Sequence, residues 1–363
     1  MNPSFIFVVC QTGTESQCKR EVTDQYPELK FSFSKPGFVT FKVPDTCNLP
    51  ERFYLRSTFA RTFGWSIGNL RSDQLSDQLN KINELTHDAT KFDHLHVWQR
   101  DVRIPGSSGF EPGCSLLAQE MGKSIQHSFS ENKSSAIAVN RHAQSEQRVF
   151  DVIMIEPDYW FYGFHYADTK PQRWPGGTPQ FDLDQEPVSR AYFKLREALL
   201  WSGIHIRKDD VCAEIGSSPG GACQLLLEKG AKVIAIDPAD MEPEIAEHEN
   251  LTHYKCRGKE IKKNLLKDTR WLISDVNVAP SYTLDMIDDI ITNQHVNKVM
   301  GMILTLKLSD LELSTDIPQW IQRVKDFGFQ WVKTRQLAFN RREICLIAVR
   351  DRYALRLGKK SSS

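Results

Sequence analysis

Excess charge of either sign is missing from these 363 residues: 46 lysines and arginines stand against 46 aspartates and glutamates. A polyanionic partner would therefore have to be met by a local basic face, not by the field of the whole chain. Long apolar runs are missing too. No stretch approaches the ~18 residues of a membrane span, and Met1-Asn2-Pro3-Ser4 opens no charged-then-apolar leader, so the expectation is a cytoplasmic chain with no membrane partner. The eight cysteines (10, 18, 47, 114, 212, 223, 256 and 345) contain no C-x-x-C pair, and several lie in apolar runs. That argues against zinc and for reduced core thiols. His94-Leu95-His96 has no third ligand nearby, so no metal is expected, and the two imidazoles read as ordinary surface histidines. Neither G-x-G-x-x-G nor a P-loop ending in Lys-Ser/Thr occurs, which removes the usual signs of a pyrophosphate cradle.

What is present is a two-part chain. Alternation of apolar and polar residues predicts strands at 5–10, 31–33 and 37–43 and a helix at 15–26, together a small α+β unit. A further unit follows, with strands at 65–70, 94–102, 136–140, 149–157 and 160–166 and helices at 72–85 and 115–129. Residues 1–168 carry no glycine-rich ligand turn and no catalytic cluster, and read as an accessory, substrate-binding region. Pro171-Gln172-Arg173-Trp174-Pro175-Gly176-Gly177-Thr178-Pro179 neither continues a helix nor pairs in a sheet, so residues 169–188 are expected to link the parts. From Ser189, which reads as a helix cap, helix and strand alternate to residue 349, the pattern of a mostly parallel sheet with helices on both faces. Residues 189–363 form this second domain. Its end is basic, with eleven lysines and arginines from Arg323 onward against Asp326, Glu343 and Asp351.

The second domain opens on an apolar run ending near Glu214, then Gly216-Ser217-Ser218-Pro219-Gly220-Gly221, then a helix. Strand, glycine-rich turn and helix make a nucleotide-binding turn, because residues without a Cβ let backbone approach a ligand. The next strand ends in Asp237, where a doubly wound fold places a carboxylate against ribose hydroxyls. Two strand-end acids without a pyrophosphate cradle point to S-adenosylmethionine. Reactive groups of such sheets gather at the carboxyl ends of strands, and there Asp275 and Lys307 end buried runs. A lysine at a buried strand mouth is costly unless paired or neutral. Beside Lys194, Lys307 is expected to have a lowered pKa, toward ~7 to 8, and to act as a base, with Asp275 and Glu343 holding the lysines. The same four residues also suit two structural ion pairs.

The order Lys194, Asp275, Lys307, Glu343, with Ser189-Arg190-Ala191-Tyr192-Phe193-Lys194-Leu195 before the turn, resembles the K-D-K-E tetrad of the FtsJ (RrmJ) family of RNA ribose 2'-O-methyltransferases. The resemblance implies a Rossmann-fold α/β methyltransferase domain, S-adenosylmethionine as cofactor, RNA as partner and no required metal. It implies Lys194, Asp275, Lys307 and Glu343 as catalytic residues, with Glu214, Gly216, Ser217, Ser218, Pro219, Gly220, Gly221, Asp237 and Asp275 around the cofactor. The opening strands are similar to a branch with a ferredoxin-like and THUMP-type RNA-binding region before the catalytic domain, acting on large-subunit ribosomal RNA. Departures occur at the turn, which has Ser217-Ser218 and Ala222, and after the third cofactor strand, where Tyr254-Lys255-Cys256-Arg257 stands in place of an adenine-binding acid. The rival reading is a noncatalytic RNA-binding or ribosome assembly factor that keeps the fold; a small-molecule methyltransferase is a third.

Overall fold

The computed structural model describes residues 3–86, 92–132, 137–183 and 185–351. The chain forms two compact units, residues 1–182 and 183–363. The first contains β1 (Phe5–Val9), α1 (Glu15–Gln25), β2 (Lys30–Lys35), β3 (Phe38–Lys42), β4 (Thr62–Arg71), α2 (Leu75–Leu85), β5 (His94–Gln99), α3 (Leu116–Asn132), β6 (Ala138–Val139), β7 (Arg148–Glu156) and β8 (Tyr159–Tyr166). The sequence separates two small α+β units here, but the structure joins them in one eight-stranded sheet of order β2-β3-β1-β4-β8-β7-β5-β6. The join is β4, which is ten residues long and pairs antiparallel with both β1 and β8. β1-α1-β2-β3 follows the first half of a ferredoxin-like βαββαβ arrangement, whereas residues 43–61, before β4, hold no second helix.

This sheet is curled. Neighbouring strands lie about 4.8 Å apart, so β2 and β8, four steps distant in the order, would be roughly 19 Å apart in a flat sheet. Yet the rings of Phe33 on β2 and Phe161 on β8 stack at 5.4 Å, and Lys35 on β2 reaches Glu156 on β7 at 2.7 Å. Bulges between Ser66 and Gly68 and between Met154 and Glu156 bend the strands, and Gly64 and Gly163 leave room for Phe7 on the concave face. Phe7, Val9, Phe38, Trp98, Ile153, Ile155 and Phe161 fill that face.

His94 and His96 correct the surface reading, since both are buried in this unit. The side-chain alternation of β5 turns them inward, beside His165. Burial pushes the His96 pKa down to about 3. His165 lies between Asp151 at 2.5 Å and the Gln172 carbonyl at 2.6 Å. Burial opposes its charge, but the Asp151 carboxylate outweighs burial and raises its pKa. Within the expected linker, Pro171–Arg173 and Pro175–Gly177 form two short 3-10 turns, mostly buried, with Gly177 packed on the Arg61 backbone within the first unit.

The second unit contains α4 (Ala191–Ser202), β9 (Val211–Ile215), α5 (Gly221–Glu228), β10 (Lys232–Ile236), α6 (Pro243–Ala246), β11 (Leu251–Tyr254), β12 (Trp271–Ser274), α7 (Pro280–Ile291), β13 (Gly301–Lys307), α8 (Ile317–Asp326), β14 (Trp331–Arg335) and β15 (Glu343–Val349). Its sheet runs β11-β10-β9-β12-β13-β15-β14, parallel from β11 to β13. Strand order reverses between β9 and β12, the crevice where doubly wound folds bind ligands. β15 runs antiparallel between β13 and β14. Ser189 supplies no side-chain cap to α4; its carbonyl accepts from Tyr192 N, and its hydroxyl packs where a Cβ on Gly221 would fall at 2.2 Å. All eight cysteines are free thiols, five of them buried. No described helix is long and apolar enough to cross a membrane. The basic stretch beyond Asp351 lies outside the described residues.

The curl makes one position stringent. A Cβ at Gly163 would sit 2.5 Å from the Trp65 carbonyl oxygen and 2.6 Å from Phe7. Gly163→Ala should destabilise the first unit by about 1–3 kcal/mol through overpacking, read as a lower denaturant midpoint. An unchanged midpoint would show that the sheet does not depend on this close approach.

Candidate active site

The turn after β9 occupies the crevice. Gly216 has φ +83°, and a Cβ there would lie 2.6 Å from the Asp275 carbonyl oxygen; Gly220 has φ +120°, and a Cβ there would lie 3.0 Å from Ile245. Both positions demand glycine for backbone and packing reasons together. The Ser218-Pro219 peptide is cis. Asp237, just past β10, accepts from the backbone amides of Ser218 at 3.3 Å and Ala239 at 2.9 Å, which fixes its carboxylate beside the turn. Ser217 is buried, and its Oγ has no hydrogen-bond partner. A buried hydroxyl left unpaired at a ligand turn fits a bound polar group that would satisfy it. After β11, Lys255 pairs with Asp240, and the His253 ring bonds the Asp237 carbonyl at 3.0 Å.

Glu214 differs from the rest of the turn set. It lies inside β9, is 1% exposed and accepts from the Cys223 thiol at 2.9 Å. Burial, with added repulsion from Asp275 and Asp237, pushes its pKa up to about 8. With Lys194 and Asp275 it lines an internal cavity of about 20 Å³.

Lys194, Asp275, Lys307 and Glu343 come together as a ring. Lys194 Nζ donates to Asp275 Oδ2 at 3.0 Å and lies 2.5 Å from Glu343 Oε1. Lys307 Nζ donates to Asp275 Oδ1 at 2.9 Å and to Glu343 Oε2 at 2.6 Å. Each carboxylate thus bridges both ammoniums, and the four formal charges cancel. The fold explains the meeting: Asp275 follows β12, Lys307 ends β13, and antiparallel β15 starts with Glu343 directly opposite Lys307. A parallel strand would have started at the far edge of the sheet.

The expectation of a lowered Lys307 pKa is corrected by this geometry. Burial disfavours its ammonium, but the charges of Asp275 and Glu343 and hydrogen bonds to both outweigh burial, and the pKa is raised. Burial likewise opposes charge on Glu343, yet the two lysines hold its pKa down to about 2. Lys194 does not drive Lys307 to neutrality, because a carboxylate stands on each side between them.

Two supporting residues escape sequence reasoning. Glu197, fully buried on α4 one turn from Lys194, accepts from the amides of Ala338 at 2.9 Å and Phe339 at 3.2 Å. Asn340 accepts from Leu337 N and donates to Glu343 Oε1 at 3.3 Å. Together they fix the loop before β15 and aim Glu343. The i, i+3 spacing of Lys194 and Glu197 was the available signal, but a glutamate in a helix ordinarily faces water.

A doubly wound sheet with a glycine turn at its switch point and a charge ring at its strand ends makes a ligand-binding crevice, and sequence comparison says what the unit is similar to. Residues 187–318, within this unit, match the FtsJ-like methyltransferase family model. The chain is similar to the Ribosomal RNA large subunit methyltransferase M of Shewanella frigidimarina, 23% identical over 321 residues, covering 78% of this chain and 79% of that one. Its counterpart from Edwardsiella ictaluri is 22% identical over 376 residues, 92% of this chain and 91% of its own. Among solved structures, the fibrillarin pre-rRNA processing protein of Methanococcus jannaschii overlaps 55% of this chain and 81% of its own at 14% identity, with a TM-score of 0.35, too slight a likeness to carry an argument.

Glu214 offers a test of the site's electrostatics. A carboxyl whose folded pKa is raised from 4.5 to about 8 contributes stability that is full below pH 4.5 and lost as pH rises through 8. Glu214→Gln, which cannot ionise, should gain about 1–3 kcal/mol relative to wild type between pH 5.5 and 8.5, measured by denaturant unfolding. A pH-independent difference would mean that Glu214 is not held neutral.

Proposed function

We propose that this protein is an S-adenosylmethionine-dependent ribose 2'-O-methyltransferase acting on RNA, with large-subunit ribosomal RNA as its substrate. The observation that carries the reading is the closed ring of Lys194, Asp275, Lys307 and Glu343 at the carboxyl edge of an FtsJ-like domain. The names of the similar proteins, which span most of their length and of this chain, support ribosomal RNA as the target. The residues that would hold the cofactor are those of the turn, Gly216 to Gly221, with Asp237 accepting ribose hydroxyls, Ser217 offering its unpaired hydroxyl, and Glu214 and Asp275 below. When bound, that cofactor supplies a methyl group on a sulfonium, already a good leaving group.

The chain's own task is then positioning and proton handling. Each ammonium has three N–H donors and uses two on the ring carboxylates, leaving one to hold a ribose hydroxyl oxygen. Holding the nucleophile in line accounts for much of the rate such a displacement can gain. Lys307, after releasing one proton to solvent, receives the hydroxyl proton as the neutral amine. Because its pKa is raised in the free ring, the neutral amine is scarce near pH 7, and further positive charge brought beside it would lower that pKa. The first unit supplies RNA binding, in keeping with the THUMP-like reading of residues 1–168.

Lys307→Ala should lower the single-turnover methylation rate about 10²- to 10⁴-fold while leaving cofactor and RNA affinity near wild type. Arginine should not restore it, since guanidinium keeps its proton throughout this range. The wild-type rate should keep rising with pH to 9 and beyond. A wild-type rate and pH profile in Lys307→Arg would reduce the lysine to a positive charge and send the search for the base elsewhere.

A further inference from the structure

The curled sheet of the first unit leaves an open groove of about 830 Å³ at one end of its concave face. Its walls are aromatic: Phe5 is 38% exposed, Phe33 and Tyr159 are half-buried, and Phe161 closes the floor. Phe33 meets Tyr159 edge-on at 6.0 Å and stacks on Phe161 at 5.4 Å, so the rings are already fixed relative to one another. Polar groups stand between them, Thr40 from β3 and Asn69 from β4. A flat guest with an apolar face and hydrogen-bonding edges suits this lining better than an alkyl chain does.

Charge beside the groove narrows the guest further. Antiparallel register sets Lys42 directly opposite Phe5, and Lys30 directly opposite Lys42, all on the same face. Both lysines are exposed, and neither is ion-paired with a described residue. Like charges placed opposite each other on a sheet are destabilising unless an anion lies between them. We propose that this groove takes an unstacked base of single-stranded RNA, with the base against Phe33 and Tyr159 and its flanking phosphates against Lys30 and Lys42. The proposal rests on the RNA methyltransferase reading and adds a base-stacking capture site in the other unit. Splayed bases stacked on aromatic side chains are the usual currency of single-stranded RNA recognition.

The test uses the full chain and two fluorescent probes, a 12-nucleotide single-stranded RNA and an abasic ribose-phosphate strand of the same length. Phe33→Leu and Tyr159→Leu, which keep apolar volume but not the ring, should each weaken RNA binding about 5- to 100-fold and leave abasic binding unchanged. Lys30→Ala with Lys42→Ala, both exposed and safe for folding, should weaken both probes and reduce the salt slope by about 1.4. Methylation at limiting RNA should fall in step with RNA affinity in every variant. If the leucine variants bind RNA as wild type does while wild type methylates RNA, the groove proposal is overturned and the methyltransferase reading stands. Weakening by the leucine variants of RNA and abasic strand alike would overturn base stacking in favour of a general loss of the surface. Failure of the wild-type protein to bind or methylate any RNA would overturn the reading itself, and the groove with it.

Discussion

Four charges in alternation set the terms for the second unit. Lys194 and Lys307 are each bound by both Asp275 and Glu343, all four largely screened from water, so removing any one member leaves the others with uncompensated charge. Such a ring survives only if its members arrive from rigid, independent directions. They do: α4 brings Lys194, the ends of β12 and β13 bring Asp275 and Lys307, and β15 brings Glu343. The reversal of β15 is the topological device, since it alone allows the first residue of a strand to stand opposite the last residue of its neighbour. Glu197 and Asn340 then hold the loop from which β15 starts.

The ring also fixes the protonation states. A pair of lysines side by side would depress each other's pKa, but interposed carboxylates do the opposite and stabilise both the Lys307 ammonium and the Glu343 carboxylate. Glu214, which shares a small cavity with Lys194 and Asp275 but has no cation of its own, goes the other way and is held neutral. One small region therefore contains a carboxyl with a strongly raised pKa and another with a strongly lowered one, separated by whether a lysine reaches it. Divergent pKa values of this kind mark functional sites more often than structural ones.

Much of this was legible in the sequence. The apolar runs ending in Asp237, Asp275 and Lys307 gave the parallel strands, because a strand buried on both faces has only its end at which to place a charge. The tetrad was legible as residue types in order. Its charge balance was not, since the sign of a lysine's pKa shift depends on which neighbours touch it, and that depends on the direction of β15. In the first unit the elements were readable and the sheet was not: strand pairing between β4 and β8 joins residues nearly a hundred apart, and no local period reports it. His94 and His96 looked like surface residues for the same reason, as alternation along β5 does not say which face is inward. The proline-rich stretch looked like open linker because its packing partners, such as Arg61, lie far back in the chain.

The account stands or falls on the acceptor atom. Unmodified ribosomal RNA incubated with the protein and methyl-labelled S-adenosylmethionine, then digested under alkali, separates the two kinds of product, because a ribose carrying a 2'-O-methyl group cannot assist cleavage of its neighbouring phosphodiester. The ring of two lysines and two carboxylates predicts label in alkali-resistant dinucleotides that yield a single 2'-O-methylated nucleoside. Label recovered only in mononucleotides, on a methylated base, would contradict it.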